Sequence, residues 1–253
     1  MSKIALITGA TSGIGKACAE IYAQNGYQLI ITGRRADRLA AFKNQLESDY
    51  SVKVKTLCFD VRERNEVEKN LQGLSIDLKK VDILINNAGL SRGLDAIQNG
   101  NLDDWDTMID TNIKGLLYVS KIVSNWMITE KKGHIVNIGS IAGKEVYANG
   151  NVYCATKHAV DALNKAMRID LLPHGIKVTG IHPGAVETEF SVVRFHGDED
   201  KASKIYQGYE PLAAQDIAET IYFTTSRPQH VNINDLVIMP TAQASAFYWN
   251  KEV

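Results

Sequence analysis

Residues 4–15 read Ile4-Ala5-Leu6-Ile7-Thr8-Gly9-Ala10-Thr11-Ser12-Gly13-Ile14-Gly15. An apolar run ends in a glycine-rich turn, and Ile14, Cys18, Ile21 and Tyr22 then recur at helical spacing. A strand, a glycine turn and a helix in that order aim a helix N-terminus and free backbone N–H groups at a phosphate. Glycine serves where the chain turns sharply and where a side chain would block a pyrophosphate. The spacing is Gly-x-x-x-Gly-x-Gly rather than the common Gly-x-Gly-x-x-Gly. It is not a P-loop: five residues separate Gly9 from Gly15, and Ala17 follows Lys16 where Ser or Thr is required. Taken alone, the stretch also fits a plain glycine-rich turn.

Outward from this unit, strand and helix alternate along the chain. Strand patterns fall at 28–32, 52–59, 81–85, 134–138, 176–182 and 236–239. Helical patterns fall at 37–48, 63–74, 104–129, 151–172 and 216–225, with Asp37 as a cap or first-turn acid of 37–48 and Asp103 or Asp104 able to cap 104–129. The alternation predicts an α/β fold: a Rossmann-type doubly wound parallel sheet of about seven strands with helices on both faces. Residues 1–253 read as a single dinucleotide-binding catalytic domain. The polar stretch 188–210 interrupts the alternation and reads as a substrate lid; 242–253, carrying Phe247-Tyr248-Trp249, is a C-terminal tail.

Composition narrows the function classes. The chain has 253 residues, 45% apolar and 23% charged, with a net charge of −1, which is ordinary for a soluble globular protein. Nothing in that balance points to nucleic acid or membrane as a partner. No leader pattern and no bilayer-length apolar run is visible. Cys18, Cys58 and Cys154 are far apart and odd in number, which suits reduced core thiols and a cytoplasmic location.

Sheets of this kind bind ligands at the carboxyl ends of their strands. The second strand pattern ends there in Gly33-Arg34-Arg35, where a NAD site would place Asp or Glu on the ribose 2′-hydroxyl. Two guanidinium groups suit a 2′-phosphate, so NADP(H) is the expected cofactor; two solvated arginines at a helix start are the alternative. Asn86-Asn87-Ala88-Gly89 can tie strand ends together and let a flat ligand approach the backbone. Asn112 lies in a helical pattern that Asn disfavours, which a buried hydrogen bond or a function would explain. Ser140 follows a strand, and Tyr153 and Lys157 lie one helical turn apart. An ammonium near a phenol favours the phenolate, and a phenol so shifted can exchange a proton with an alcohol oxygen. Tyr-x-x-x-Lys alone better fits a surface helix with an aromatic stem and a solvated amine; the other motifs change that reading.

Together these motifs resemble the short-chain dehydrogenase/reductase family over essentially the whole chain. The resemblance rests on Thr8-Gly9-x-x-x-Gly13-x-Gly15, Asp60, Asn86-Asn87-Ala88-Gly89, Asn112, Ser140, Tyr153-x-x-x-Lys157 and Pro183-Gly184. A nearer likeness is to the NADP-dependent 3-hydroxy acid dehydrogenases that oxidise serine and allo-threonine. It lies in Gly33–Arg35, Met108–Asn112, Gly150–Tyr153, Glu189–Phe195 and His230–Asn234. The resemblance implies Tyr153 as acid or base, Lys157 lowering the tyrosine pKa and holding the nicotinamide ribose, Ser140 on the reacting oxygen, and Asn112 positioning a water. It implies Gly9, Ser12, Gly13, Ile14 and Gly15 at the pyrophosphate, and Asp60 and Val61 at the adenine. Asn87, Ala88 and Gly89 complete the cofactor site, and Pro183, Gly184, Val186 and Thr188 hold the carboxamide. It also implies a homotetramer through the helices at 104–129 and 151–172. A substrate carboxylate needs a cationic partner, for which Arg194 is the candidate; a pair with Asp198 or Glu199 is the alternative. A carbonyl reductase for other ketones or aldehydes, and a nucleotide-sensing regulatory protein, are the competing functions.

Overall fold

The computed structural model describes residues 2–251. From the N-terminus run β1 (Ile4–Ile7), α1 (Gly13–Gln24), β2 (Gln28–Gly33), α2 (Ala36–Tyr50), β3 (Val54–Cys58), α3 (Arg64–Gln72) and β4 (Ile83–Asn86). Then come α4 (Leu102–Ile109), α5 (Leu116–Glu130), β5 (His134–Ile138), α6 (Asn151–Leu171) and β6 (Lys177–Pro183). The chain ends with β7 (Val186–Glu187), α7 (Phe190–Arg194), α8 (Glu199–Lys204), β8 (Leu212–Ala213), α9 (Ala214–Thr225) and β9 (Asp235–Ile238).

Among the described residues the main sheet has seven parallel strands in the order β3-β2-β1-β4-β5-β6-β9. Its central strands are largely apolar because both faces are covered, with Asn86 and Asn137 the polar residues at their carboxyl ends. In β1, Ala5 and Ile7 join one core with α1, α2 and α9, while Ile4 and Leu6 join the other with α3, α5 and α6. The chain lays down β1, β2 and β3 outward, then returns to place β4 on the other side of β1. That reversal opens a crevice at the carboxyl ends of β1 and β4. The asparagine pair closes the strand ends around it. Asn86 Nδ2 donates to Asn137 Oδ1 and to Ser120 Oγ, both at 2.8 Å, and Asn87 Nδ2 donates to the Thr8 carbonyl at 2.9 Å.

The structure corrects several local expectations. Residues 104–129 are not one α-helix: a π turn over Asp110–Gly115 separates α4 from α5, and Asn112 sits in it. A π segment takes main-chain groups out of the α ladder and is common at functional sites. Neither Asp103 nor Asp104 caps α4. Asn101 does, its Oδ1 accepting from Asp103 N at 2.8 Å and Asp104 N at 3.2 Å, so the two acids are first-turn residues favoured by the helix dipole. Cys18 and Cys154 are buried, but Cys58 is exposed. The stretch 188–210 contains α7 and α8 and is bracketed by β7 and β8, a second parallel pair. In the tail, Trp249 packs against Tyr209 with ring centroids 4.8 Å apart and planes tilted by 51°, while Phe247 and Tyr248 are exposed; residues 252 and 253 lie outside the described residues. Among the described residues no helix is long and apolar enough to cross a membrane.

Candidate active site

The carboxyl ends of the strands open onto one cleft of about 310 Å³. The turn after β1 brings Gly9, Ser12, Gly13 and Ile14 to its wall, and the ends of β2 and β3 bring Arg34, Arg35, Asp60 and Val61. Asn87, Ala88 and Gly89 follow β4; Ser140, Tyr153 and Lys157 follow β5. Pro183, Gly184, Val186 and Thr188 follow β6. Gly15, Asn112 and Arg194 stand off this lining.

At one end the wall is bare backbone. Gly9 has φ +68°, a left-handed conformation that costs other residues steric strain. A Cβ on Gly15 would lie 2.4 Å from Asn87 Nδ2 and 2.5 Å from the Gly9 carbonyl oxygen. Ser12, the N-cap of α1, makes no side-chain cap, so the first N–H groups of that helix keep their donors for something else. A side chain at Gly15 would push apart Asn87 and the Gly9 turn, so the shape of the backbone cradle depends on this glycine.

Beyond the glycine turn, cations gather. Arg34, with a side chain 55% exposed, faces Asp60 at 3.5 Å. Burial alone would raise the Asp60 pKa, but the hydrogen bonds and charge of Arg62, with the charge of Arg34, hold it below the usual range. Arg35 donates to Thr11 Oγ1 at 2.8 Å and Ser12 Oγ at 3.1 Å, and its other face meets Glu189.

Nearer the centre of the cleft, Tyr153 and Lys157 are buried on one face of α6. Lys157 Nζ is 5.9 Å from the Tyr153 ring centroid and donates to the Ile138 carbonyl at 2.9 Å. Burial pushes the Lys157 pKa down to about 8. The tyrosine pKa does not fall as the sequence reading expects. Burial, and then the neighbouring Tyr147 phenol, push it up; the Arg194 charge and the Ser140 hydroxyl pull it down and do not prevail. The reason is that desolvation acts on the whole phenol, while the Lys157 ammonium is directed to a carbonyl. Ser140 Oγ accepts from Ala142 N at 3.1 Å, which fixes its hydroxyl at the cleft.

Asn112 is satisfied by its neighbours. Its Oδ1 accepts from Leu90 N at 2.8 Å, and its Nδ2 donates to the Leu90 carbonyl at 2.8 Å and Thr156 Oγ1 at 3.0 Å. The buried hydrogen bond is therefore real, and the side-chain amide is committed to it.

Arg194 pairs with neither Asp198 nor Glu199. Its Nε donates to Ser91 Oγ at 3.0 Å and its Nη2 to Tyr147 Oη at 2.6 Å. The guanidinium carbon lies 5.2 Å from the Tyr153 ring centroid and 5.4 Å from that of Phe190. A cation thus sits over the phenol at the mouth of the cleft. Tyr147, Ser91, Glu189 and Arg38 escape the sequence reading. Arg38 was within reach of it, being one helical turn from Arg35 on α2. The pairing of Glu189 with residues more than a hundred positions earlier leaves no local trace.

The order of strands, the bare glycine cradle and the buried serine, tyrosine and lysine at one strand-end cleft define a dehydrogenase of the short-chain kind. The chain belongs to that family: the short chain dehydrogenase model matches residues 3–198. It is 44% identical over 244 residues to the NADP-dependent 3-hydroxy acid dehydrogenase YdfG of Salmonella typhi, covering 96% of this chain and 97% of that one. It is also 44% identical over 249 residues to sulfoacetaldehyde reductase 2 of Chromohalobacter salexigens, covering 98% of each. Among solved structures, the closed form of serine dehydrogenase complexed with NADP+ superposes with a TM-score of 0.91 at 42% identity, covering 99% of this chain and 100% of that one.

Proposed function

We propose that the chain is an NADP-dependent oxidoreductase acting on a small hydroxy acid such as serine, allo-threonine or 3-hydroxypropionate, and interconverting its 3-hydroxyl and 3-oxo forms. The observation that carries this reading is Arg194 stacked over Tyr153 at 5.2 Å, an anion-binding group beside a proton-transferring one. Relatives named for NADP and for 3-hydroxy acids or serine support it.

The glycine cradle fits a pyrophosphate, and the arginines fit a 2′-phosphate. When bound, the dinucleotide supplies or accepts the hydride. The protein's own residues do the rest. Tyr153 gives a proton to the carbonyl oxygen in reduction and takes one from the hydroxyl in oxidation. Ser140 donates to the same oxygen as charge develops on it. Lys157 holds the nicotinamide ribose and, once drawn off the Ile138 carbonyl, lowers the tyrosine pKa. The main chain of Asn112 holds the water that reconnects Lys157 with solvent. Asp60 and Val61 flank the adenine, and Pro183, Gly184, Val186 and Thr188 seat the carboxamide. Arg194 takes the substrate carboxylate, and residues 188–210 close over it as a lid on a single catalytic domain.

The same guanidinium accepts a sulfonate, and a relative named sulfoacetaldehyde reductase makes a sulfonated aldehyde the second reading. A panel of serine, allo-threonine, 3-hydroxypropionate, sulfoacetaldehyde and simple ketones, followed by nicotinamide absorbance, separates the two. Turnover confined to neutral ketones would remove the hydroxy-acid assignment. Assembly as a homotetramer through α4–α5 and α6 is part of the proposal, supported by Leu117, Ile169 and Leu172, which are exposed on or beside those helices. A light-scattering mass of one chain would exclude it. The free cysteines suit a cytoplasmic enzyme without nucleic-acid or membrane partners.

A further inference from the structure

Three arginines, not two, gather beyond the end of β2, and one carboxylate already engages two of them. Glu189 Oε2 lies 2.9 Å from Arg35 Nη1, and its Oε1 lies 2.7 Å from Arg38 Nη1. Arg35 is fixed from behind by Thr11 and Ser12, so Nη1 is the edge it has left for an anion. Burial alone would raise the Glu189 pKa, but hydrogen bonds and charge from Arg35 and Arg38 hold it low, keeping the carboxylate ionised at neutral pH. Glu189 and Arg35 both line the cofactor cleft. Glu189 is also the residue immediately before α7, which ends at Arg194.

A carboxylate bridging two half-exposed arginines adds little to folding stability. Its consequence falls on whatever else those arginines bind. A phosphate monoester carries more charge than a carboxylate and seeks the same forked donors. It cannot share Arg35 Nη1 with Glu189 without repulsion. A ribose 2′-hydroxyl meets no such conflict, because a hydroxyl can donate to a carboxylate.

We infer that Glu189 is an internal competitor of the 2′-phosphate, holding Arg35 and Arg38 until NADP(H) displaces it, and that Arg38 is a third arginine of the phosphate site. Displacement frees the residue from which the Arg194-bearing helix starts, so phosphate binding and lid position are linked. The inference rests on placing the 2′-phosphate at Arg35.

Dissociation constants for NADPH and NADH, measured by fluorescence titration on the intact enzyme and on Glu189→Gln, Arg38→Ala and Arg35→Ala, test it. Glu189→Gln is expected to tighten NADPH roughly three- to tenfold at low salt, less at high salt, and not to tighten NADH. Arg38→Ala is expected to weaken NADPH by a similar factor and to leave NADH alone. NADPH affinity unchanged or lowered in Glu189→Gln overturns the competition; NADPH affinity unchanged in Arg38→Ala removes Arg38 from the site. If Arg35→Ala leaves the NADPH-to-NADH ratio intact, the phosphate placement itself has failed. If that ratio collapses while Glu189→Gln does not tighten NADPH, only the latch has.

Discussion

Tyr153 and Lys157 are buried on α6, whereas Arg34 and Arg35 follow the end of β2 and Arg194 ends α7, all three partly open to water. The first pair is held by packing: β5 and α6 fix both side chains before any ligand arrives. The arginines are held by polar contacts to Thr11, Asp60, Ser91, Tyr147 and Glu189, each of which a ligand's anion can replace. Burial makes electrostatics strong but immobile, while exposure makes them weak and exchangeable. The buried group should therefore govern rate, and the exposed group affinity and selectivity.

The sharpest way to break that division is at the phenol. Tyr153→Phe keeps the ring packed against Phe190 and removes only the hydroxyl. Turnover should fall at least roughly a thousandfold, the scale of a lost general acid–base, with NADPH affinity nearly unchanged. Stopped-flow turnover and a fluorescence titration read the two quantities; substantial residual rate would take proton transfer away from this residue. Next in size comes the arginine pair. Arg34→Ala with Arg35→Ala should lower the NADPH-over-NADH ratio of kcat/KM about a hundredfold, the equivalent of two charge-assisted contacts. Mostly through KM, that loss would be the opposite signature from Tyr153→Phe. An unchanged ratio would make both arginines surface charges.

Arg194, at the end of α7, should show a smaller effect than either. Arg194→Ala should raise KM for hydroxy acids about tenfold, with a smaller fall in kcat and no change for uncharged ketones, because a partly exposed ion pair with a carboxylate is modest in water. An equal effect on charged and uncharged substrates would mean that Arg194 merely packs on Tyr153 and Phe190. This region is also where the sequence is hardest to read. The parallel sheet, the glycine cradle and the Tyr–Lys spacing are legible because backbone geometry dictates residue type locally: Gly9 must be left-handed, and strands buried on both faces must be apolar. The partners of Arg194 and Glu189 are set by side chains meeting across 47 to 154 residues, which no spacing rule encodes. The π turn at Asn112 lies between the two. Asn in a helix flagged the place, but the π turn and the committed amide needed coordinates. The upward direction of the Tyr153 shift is illegible for the same reason, since proximity along α6 says nothing about where the ammonium points.

At Lys157 the effect on stability is the smallest of these and gives the most direct reading of burial. Its pKa of about 8 in the folded chain lies below the 10.5 of a free lysine, so folding carries a penalty for the protonated form. Below pH 8 both states are protonated and the penalty is complete. Between pH 8 and about 10.4 the folded state releases its proton first, so stability rises with pH across that window as the penalty disappears. Lys157→Met removes the penalty at every pH but leaves the Ile138 carbonyl without its donor, which costs about 1–3 kcal/mol. The net at pH 7 should be a gain of about 1 kcal/mol in urea unfolding, shrinking and then reversing toward pH 10, with catalysis abolished. A loss of stability that does not vary with pH would mean that the ammonium is held by its surroundings without strain. The buried half of the comparison would then be as exchangeable as the exposed half.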